Sequence, residues 1–362
     1  MLKILDRYII KKFLSTFFFV VLIFSMIAVI IDFSQNVEEF IDEKLGAWQV
    51  STEYYFNFIV FINGLLWPLF AMISVIFFTS RMAYNSEIIS ILNAGVSFRR
   101  FIRPYLIGGG LLACLHLVLN HFVIPVSNKT RLDFFHAYIV KESDKGSTRD
   151  VHMFVDPHTK IYVRDYFKRD SFARNFRLER IDSNRLTSYI EADEARWKGD
   201  KQKWQLSNYE IHTFNGTKEG IVVGGKSKLD TALLLTPDDF VRYDDTREKI
   251  PSTRLSQFID EERRRGIGNT KGYEIELYRR TADPVTLLIV TLIGVAMASR
   301  KIRGGMGLHL ALGIVLGAVF VFVAKFSITF ATNEALPALL GVWLPNIFFG
   351  SLAILLVAKA QR

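Results

Sequence analysis

The sequence predicts a membrane α-helical bundle of six transmembrane helices, arranged three plus three, with an inserted extracytoplasmic all-β domain that is jellyroll-like. Three observations lead to this fold class. Half of the 362 residues are hydrophobic and 31 are Phe, while only 22% are charged. The apolar residues are gathered in six charge-free runs, and the residues between the third and fourth runs alternate as strands do. This composition excludes a disordered or collagen-like chain.

The six runs match the thickness of a bilayer, because about 20 mostly apolar residues in a helix span its ~30 Å hydrocarbon layer. The fourth run is shorter, and we extend it backwards through Asp283, Thr281 and Tyr278. Buried core helices of a large soluble protein are the alternative, which six such runs in one chain disfavour. The runs are Phe13 to Ile31, Tyr54 to Ser80, Pro104 to Asn128, Val285 to Ser299, Gly304 to Ala324 and Ala335 to Ala358.

The basic residues next to the spans predict the orientation, because cytoplasmic loops carry an excess of Lys and Arg. The segment after the first run is acidic instead, from Asp32 to Glu43. Both termini are therefore expected in the cytoplasm of a multi-pass protein, and the first run is expected to be a retained anchor. The basic clusters are Lys3, Arg7, Lys11 and Lys12; Arg81, Arg99, Arg100 and Arg103; Arg300, Lys301 and Arg303; and Lys359 with Arg362.

The domain organisation follows from this topology. We expect an N-terminal transmembrane half over residues 1–128, a β domain outside the cytoplasm over 129–250, a linker helix and lead-in over 251–282, and a C-terminal transmembrane half over 283–362. Alternating strand patterns separated by turn residues predict an antiparallel sandwich or barrel. They lie at Ile161 to Tyr166, Asn175 to Ile181, Ser188 to Trp197 and Trp204 to Phe214. An amphipathic helix is predicted from Pro251 to Arg265, ended by Gly266.

One segment matches the phosphate-binding pattern G-x-x-x-x-G-K-[ST], from Gly220 to Lys226 and Ser227. That chemistry needs a strand before the first Gly and a helix that starts at the Lys. Turn residues precede Gly220, and the residues after Ser227 are strand-like. We therefore interpret the match as a coincidence within a β-hairpin, although the pattern itself is complete.

No other catalytic or metal-binding pattern stands out. The single cysteine, Cys114, excludes an intrachain disulfide and a Cys-based zinc cluster. The histidines lack metal-ligand spacing, and neither H-E-x-x-H nor G-x-S-x-G is present. The net charge of +9 would suggest nucleic acid in a soluble protein, but its placement beside the spans indicates a membrane and no nucleic acid. We predict that the chain is not an enzyme and binds no metal or cofactor.

A short helix is predicted in the second cytoplasmic loop, over about residues 85–95. Asn85 or Ser86 can cap its start, Glu87 suits the positive end of its dipole, and Gly95 can take the left-handed conformation that ends a helix. Its surface is expected to expose Ile and Leu side chains and one carboxylate. Two roles stay open: a helix that rests on lipid, or a knob that docks into a cytosolic partner.

Several segments together resemble the LptF/LptG permeases of lipopolysaccharide export. The similar segments are Ile4-Leu5-Asp6-Arg7-Tyr8-Ile9, Ser86-Glu87-Ile88, Ala94-Gly95-Val96-Ser97, Tyr278-Arg279-Arg280, Pro284, the Arg300 to Arg303 loop, Gly305-Met306-Gly307 and Trp343-Leu344-Pro345-Asn346. The layout of three spans, a β domain and three spans is also similar to this family, so the resemblance covers the whole chain.

The resemblance implies a permease subunit of an ATP-driven exporter in the inner membrane of a Gram-negative bacterium. The implied partners are a cytosolic ABC ATPase dimer, which binds the ATP and magnesium, a paralogous permease subunit, a periplasmic bridge protein and lipopolysaccharide. The alternative is a stand-alone membrane enzyme or sensor that uses its β domain. For the export function, the expected ATPase-coupling residues are Glu87, Ile88, Ile91, Leu92 and Gly95.

The candidate lipid path departs from the family in one respect. Family members carry lysines near the outer end of the first span, whereas this chain is acidic around Phe33. We expect the path to involve Phe33, Lys325 in the fifth span, and the pair Gly313 and Gly317, which lie on one helical face. An intramembrane lysine indicates a functional site, and snorkelling toward the interface is the alternative.

Overall fold

The computed structural model describes residues 3–139, 149–167, 170–182, 185–199, 203–216, 218–225, 227–231, 233, 235–240, 246–264, 270–300, 305–333 and 335–360. The chain divides into two compact units. The helical unit comprises Met1–Ile139, Glu248–Ser252 and Lys271–Arg362, and the β unit comprises Val140–Arg247 and Thr253–Thr270.

The helical unit contains six helices that are long and apolar enough to cross a membrane among the residues that the structure describes. Two of them are composite, because short π-helical turns join their pieces at Val50–Tyr55, Leu119–Val123 and Phe135–Ile139. The helices are α1 (Ile4–Asp42), α2 (Ala47–Gln49), α3 (Phe56–Tyr84), α4 (Glu87–Asn93), α5 (Phe98–Val118), α6 (Ile124–Phe134), α8 (Lys271–Ala298), α9 (Gly305–Thr332) and α10 (Ala338–Ala360), with α7 (Ser252–Arg264) mainly in the β unit.

The two central helices are α3 and α8. Most of the apolar stretch of α8 and half of that of α3 is buried, whereas α1 and α9 are mostly exposed. Phe13, Phe17 and Trp67 belong to a core that α1, α3, α5 and α8 build together. Because a bilayer solvates apolar side chains, exposed apolar faces on α1 and α9 are compatible with a membrane and would be costly in water.

The third span is longer than the sequence predicts. Its composite helix runs from Phe98 to Ile139, so the first segment of the helical unit extends to Ile139, beyond the predicted residue 128. The extension is polar on several turns, and the hydrophobic run therefore underestimates it. The fourth span, by contrast, begins at Lys271, and its lead-in is helical as expected.

The β unit confirms the predicted all-β insertion. Its seven described strands form one open antiparallel sheet in which β1 to β6 are neighbours in chain order and β7 also pairs with β5. All four predicted strand segments are found, in β2, β3, β4 and β5, and β6 and β7 lie where the β-hairpin interpretation of residues 220–231 expects strands. The alternating patterns missed β1. The strands are β1 (Arg149–Asp156), β2 (Thr159–Phe167), β3 (Phe172–Asp182), β4 (Arg185–Lys198), β5 (Lys203–Asn215), β6 (Lys218–Val223) and β7 (Lys228–Thr231).

One face of this sheet forms the core of the β unit. Alternate residues such as Ile161, Val163 and Phe176 are fully buried, as period-2 burial requires. Trp204 is also fully buried, and its indole Nε1 donates to the Leu235 carbonyl at 2.8 Å. A buried indole needs such an acceptor, so this bond fixes the segment after β7 against the sheet.

The segment that matches the phosphate-binding pattern lies in the return arm of the hairpin that starts with β5, because β6 and β7 both pair with β5. Gly220 to Val223 belong to β6, and the residues after Ser227 form β7 rather than a helix. Gly225 adopts the left-handed conformation at the intervening turn. Lys226 lies outside the described residues. Without a helix N-terminus after the loop, the described residues do not provide the array of N–H groups that binds phosphate.

Candidate functional site

The predicted cytoplasmic helix is present as α4, Glu87–Asn93. Gly95 follows it with φ +83°, which is the left-handed conformation that the sequence predicts at this end. Ser86 occupies the N-cap position, but its φ is +61° and its side chain makes no capping bond. Instead, Asn85 Nδ2 donates to Glu87 Oε1 at 3.3 Å, and this bond joins the turn to the helix.

The apolar side of α4 faces the bundle, which corrects the expectation that its Ile and Leu side chains are exposed. Ile88 is 1% exposed in the main core, and Ile91 and Leu92 pack against the same core. Ile89 is the exception, with 46% exposure. A seven-residue helix is not stable by itself, so the apolar residues of α4 anchor it to the neighbouring helices.

Glu87 is tied to the first helix. The Tyr8 hydroxyl of α1 donates to Glu87 Oε2 at 3.4 Å. The Tyr8 ring in turn contacts the edge of Phe78 in α3, with ring centroids 6.4 Å apart. The carboxylate therefore sits where α1, α3 and α4 meet, and it is not a fully free surface charge.

A buried ion pair beside α4 was missed by the sequence analysis. Arg100 Nη1 and Nη2 donate to Asp6 Oδ1 and Oδ2 at 2.7 and 2.6 Å, and the Lys3 backbone N–H adds a bond of 2.8 Å. The Asp6 side chain is 4% exposed and that of Arg100 is 28% exposed. Planar two-point pairing of this kind fixes both position and orientation. The pair joins the start of α1 to the start of α5, immediately after the α4 loop. The sequence signal that could have indicated it is Asp6, a single acidic residue within a basic N-terminal segment.

The residues of the expected lipid path do not form one surface. Gly313 and Gly317 are buried where α9 packs on α3: an added Cβ on Gly317 would lie 2.5 Å from Met72 Cε, and one on Gly313 would collide with Ile76. Lys325 is exposed on another side of α9. The glycine pair therefore permits close helix packing, and the apolar face that carries it is occupied by α3.

Phe33 lies near the far end of α1, with 48% exposure. Its ring is 6.2 Å from that of Phe40 and 6.3 Å from that of Tyr55. Behind it, the Tyr54 hydroxyl donates to Asp32 Oδ1 at 3.2 Å. This end of α1 therefore presents an aromatic surface with a partly buried carboxylate, not a basic one.

A second buried ionic network lies at the head of α8 and was also missed. Glu276 pairs with Arg279 at 2.9 Å and with Arg280 at 3.0 Å. Arg280 Nη1 also donates to the Ile250 carbonyl and the Ser252 hydroxyl, both at 2.9 Å. The network fixes the segment Glu248–Ser252, at which the chain leaves the β unit, against the fourth span.

No cluster of three or more His, Cys, Asp or Glu side chains in the described part of the chain is arranged to hold a metal. The histidines of the β unit have protein partners. His212 Nδ1 is 2.7 Å from Glu219 Oε1, and its ring stacks on Tyr189 with centroids 4.2 Å apart. His158 Nδ1 is 3.1 Å from the Ile181 carbonyl oxygen.

A bundle of six membrane-length helices, interrupted after the third by a large antiparallel sheet, defines a multi-pass membrane protein with an inserted β domain. The comparisons with known proteins agree with this architecture. The chain belongs to the LptF/LptG family of lipopolysaccharide export system permeases, whose model matches residues 7–359. It is similar to the lipopolysaccharide export system permease protein LptG of Haemophilus influenzae, with 21% identity in an alignment of 356 positions that covers 96% of each chain.

Proposed function

We propose that this chain is the transmembrane permease subunit of an ATP-driven exporter, which extracts lipopolysaccharide from the inner membrane and passes it to a periplasmic bridge. The observation that carries the proposal is the rigid mounting of α4 on the bundle. Ile88 of α4 is buried in the bundle, and the Asp6–Arg100 pair fixes α5, the next helix in the chain. A short helix held in this way can couple a conformational change of a bound cytosolic protein to movement of the transmembrane helices.

The outer surface of α4 is small and suited to docking. Ile89, Ser90 and Asn93 are exposed, and Glu87 lies at the helix start. An apolar side chain ringed by polar ones is a typical centre for a protein contact. The lipid-resting alternative requires an apolar outer face, but Ile88, Ile91 and Leu92 are turned inward.

Hydrolysis is assigned to a separate ATPase dimer, which binds ATP and magnesium. The connection between α3 and α5 and that between α8 and α9 are both much shorter than a nucleotide-binding domain of ordinary size, which has at least about 50 residues. With the basic clusters on the inner side, both termini and α4 lie in the cytoplasm and the β unit in the periplasm. The chain itself is then non-catalytic and carries no cofactor.

The lipid path is assigned to the exposed faces of α1 and α9. Phe19, Ile30 and Phe322 are 62%, 64% and 66% exposed there, so the single chain leaves apolar surface for acyl chains or for a paralogous permease subunit. Lys325, also exposed on α9, supplies one cation for the lipid phosphates. Gly313 and Gly317 contribute by fixing α9 closely on α3.

Reconstitution tests the proposal. The chain is co-expressed with its paralogous subunit and the cytosolic ATPase, purified in mild detergent and placed in liposomes that contain lipopolysaccharide. We expect the three proteins to copurify and lipopolysaccharide to leave the liposomes only with ATP and the periplasmic acceptor. Copurification without ATP-dependent release would contradict the transport function. A chain that binds no ATPase would favour a stand-alone membrane enzyme or sensor.

A further inference from the structure

Four of the described α-helices contain a proline in their interior: Pro68 in α3, Pro104 in α5, Pro284 in α8 and Pro345 in α10. Proline has no N–H, so the carbonyl four residues earlier loses its helical partner. In a bilayer no water replaces that partner, and a neighbouring side chain must do so. The carbonyls concerned are those of Gly64, Arg100, Arg280 and Gly341. A side-chain donor from another helix reaches three of them, those of Gly64, Arg280 and Gly341.

The carbonyl freed by Pro68 is bonded by a histidine. His116 of α5 is fully buried, and its Nε2 lies 2.9 Å from the Gly64 oxygen. A carbonyl only accepts, so Nε2 carries the proton. The imidazole packs on Trp67, with ring centroids 5.0 Å apart, which fixes its direction.

The carbonyl freed by Pro284 is bonded one helical turn further along. Asn120 Nδ2 donates to the Arg280 oxygen at 3.4 Å, and Asn120 is 7% exposed. His116 and Asn120 are four residues apart and thus neighbours on one helix surface. The third span therefore provides donors for the proline-freed carbonyls of both central helices, α3 and α8.

The carbonyl freed by Pro345 is bonded from α9. Ser327 Oγ donates to the Gly341 oxygen at 2.6 Å, and Ser327 is 6% exposed. The two helices approach so closely here that an added Cβ on Gly341 would lie 3.2 Å from the Ser327 backbone oxygen and collide with Ala331. Glycine at this position is therefore required for the bond to form.

These three bonds differ from the common ones made by hydroxyl groups in the bundle. Ser74 and Thr291, for example, bond to the carbonyl four residues earlier in their own helix. Such carbonyls already have a helical N–H, whereas those of Gly64, Arg280 and Gly341 do not. Interhelical donors on three of the four proline-freed carbonyls form a pattern that packing alone does not require.

We propose that His116, Asn120 and Ser327 are positioning residues that hold the proline bends of α3, α8 and α10 and thereby set the helix arrangement from which lipid is released. The transport part rests on the function proposed above. Each donor acts through a carbonyl and contacts no lipid. It is needed only while the proline is present, because alanine at that position restores the missing N–H.

The test is a pair of double-mutant cycles in the full complex in nanodiscs. His116→Ala is combined with Pro68→Ala, and Ser327→Ala with Pro345→Ala; His116→Gln and Ser327→Thr keep a donor. Each donor-to-Ala variant also loses packing, which costs the same in both backgrounds, so we expect the midpoint of thermal unfolding to fall by about 2–4 °C more in the proline background than in the alanine background. Ser74→Ala is the control, and it should shift the midpoint of thermal unfolding by the same small amount with and without Pro68.

Transport supplies the second readout. The donor-to-Ala variants are expected to release lipopolysaccharide severalfold more slowly, with release recovered by His116→Gln and Ser327→Thr. The double variants are expected to regain stability but not the rate, because an unbroken helix lacks the bend. Equal destabilisation in both backgrounds, or double variants that transport at the wild-type rate, would overturn the proposal. If the wild-type complex itself releases no lipid, the proposed function is wrong. The double-mutant cycles on stability still test whether each donor bonds to a proline-freed carbonyl.

Discussion

We predict that removing Arg100 from the Asp6–Arg100 pair destabilises the chain more than removing Asp6. Arg100→Ala removes the guanidinium from the Asp6 carboxylate, which is 4% exposed in the pair, and leaves the Lys3 N–H as its hydrogen-bond partner. Stranding a buried charge costs about 3 kcal/mol or more. Asp6→Ala instead leaves a guanidinium that is already 28% exposed and can turn to water. The loss is then that of its charge-assisted bonds, about 1.5–2 kcal/mol.

The double variant removes both charges and strands neither. Its cost is therefore expected to be below the sum of the single costs by about 1.5 kcal/mol, in the range typical of residues in direct contact. At roughly 2 °C per kcal/mol for a large chain, the midpoint of thermal unfolding falls by about 6 °C in Arg100→Ala and about 3–4 °C in Asp6→Ala.

The assay is thermal unfolding of the purified chain in detergent, with ATPase stimulation measured on the assembled complex. Arg99→Ala is the matched control, because Arg99 is the adjacent arginine and is exposed. We also expect both Asp6→Ala and Arg100→Ala to weaken the coupling between hydrolysis and release, because the start of α5 beside α4 is no longer fixed. Equal costs for the two single variants, or strictly additive costs in the double variant, would refute this reasoning.

Four further predictions follow from the structure. If Glu87 pairs with a basic residue of the ATPase, Glu87→Arg is expected to weaken ATPase binding or uncouple hydrolysis, because breaking a buried charge pair at an interface costs about 2–5 kcal/mol. Unchanged binding and coupling in the variant would leave only a lipid-resting helix. Lys226→Ala should not change the affinity of the complex for ATP, because β7 follows it, and lost nucleotide binding would reinstate the phosphate-loop interpretation. A photo-crosslinker at Lys325 should capture lipopolysaccharide in an ATPase-dependent manner. Adducts with phospholipid alone would show that Lys325 only snorkels to the interface. Gly317→Ala should destabilise the chain by about 1–3 kcal/mol, because its added Cβ collides with a side chain of α3. The control Gly110→Ala should not, because nothing lies within 4 Å of its added Cβ. Equal midpoints of thermal unfolding for the two variants would contradict the close packing of α9 on α3.

The sequence by itself determines the architecture, because the signals for it are local. The six spans, the four strongest strands and the ends of α4 follow from runs of apolar residues, period-2 alternation and a glycine at the helix end. Each of these depends on neighbours within one or two turns or strands. The candidate coupling segment was located for the same reason.

Only the tertiary structure decides which side chains meet. The sequence predicts Ile88 on an exposed surface, but the structure buries it in the main core, where α4 packs on α3. Gly313 and Lys325 share a helix, yet the packing of α3 on the glycine leaves the lysine on another side. Asp6 and Arg100 are 94 residues apart, and no local pattern links them. The pairing of Pro68 with His116 likewise depends on the bundle, because a lost helical N–H is visible in the sequence but the donor that replaces it lies on another helix.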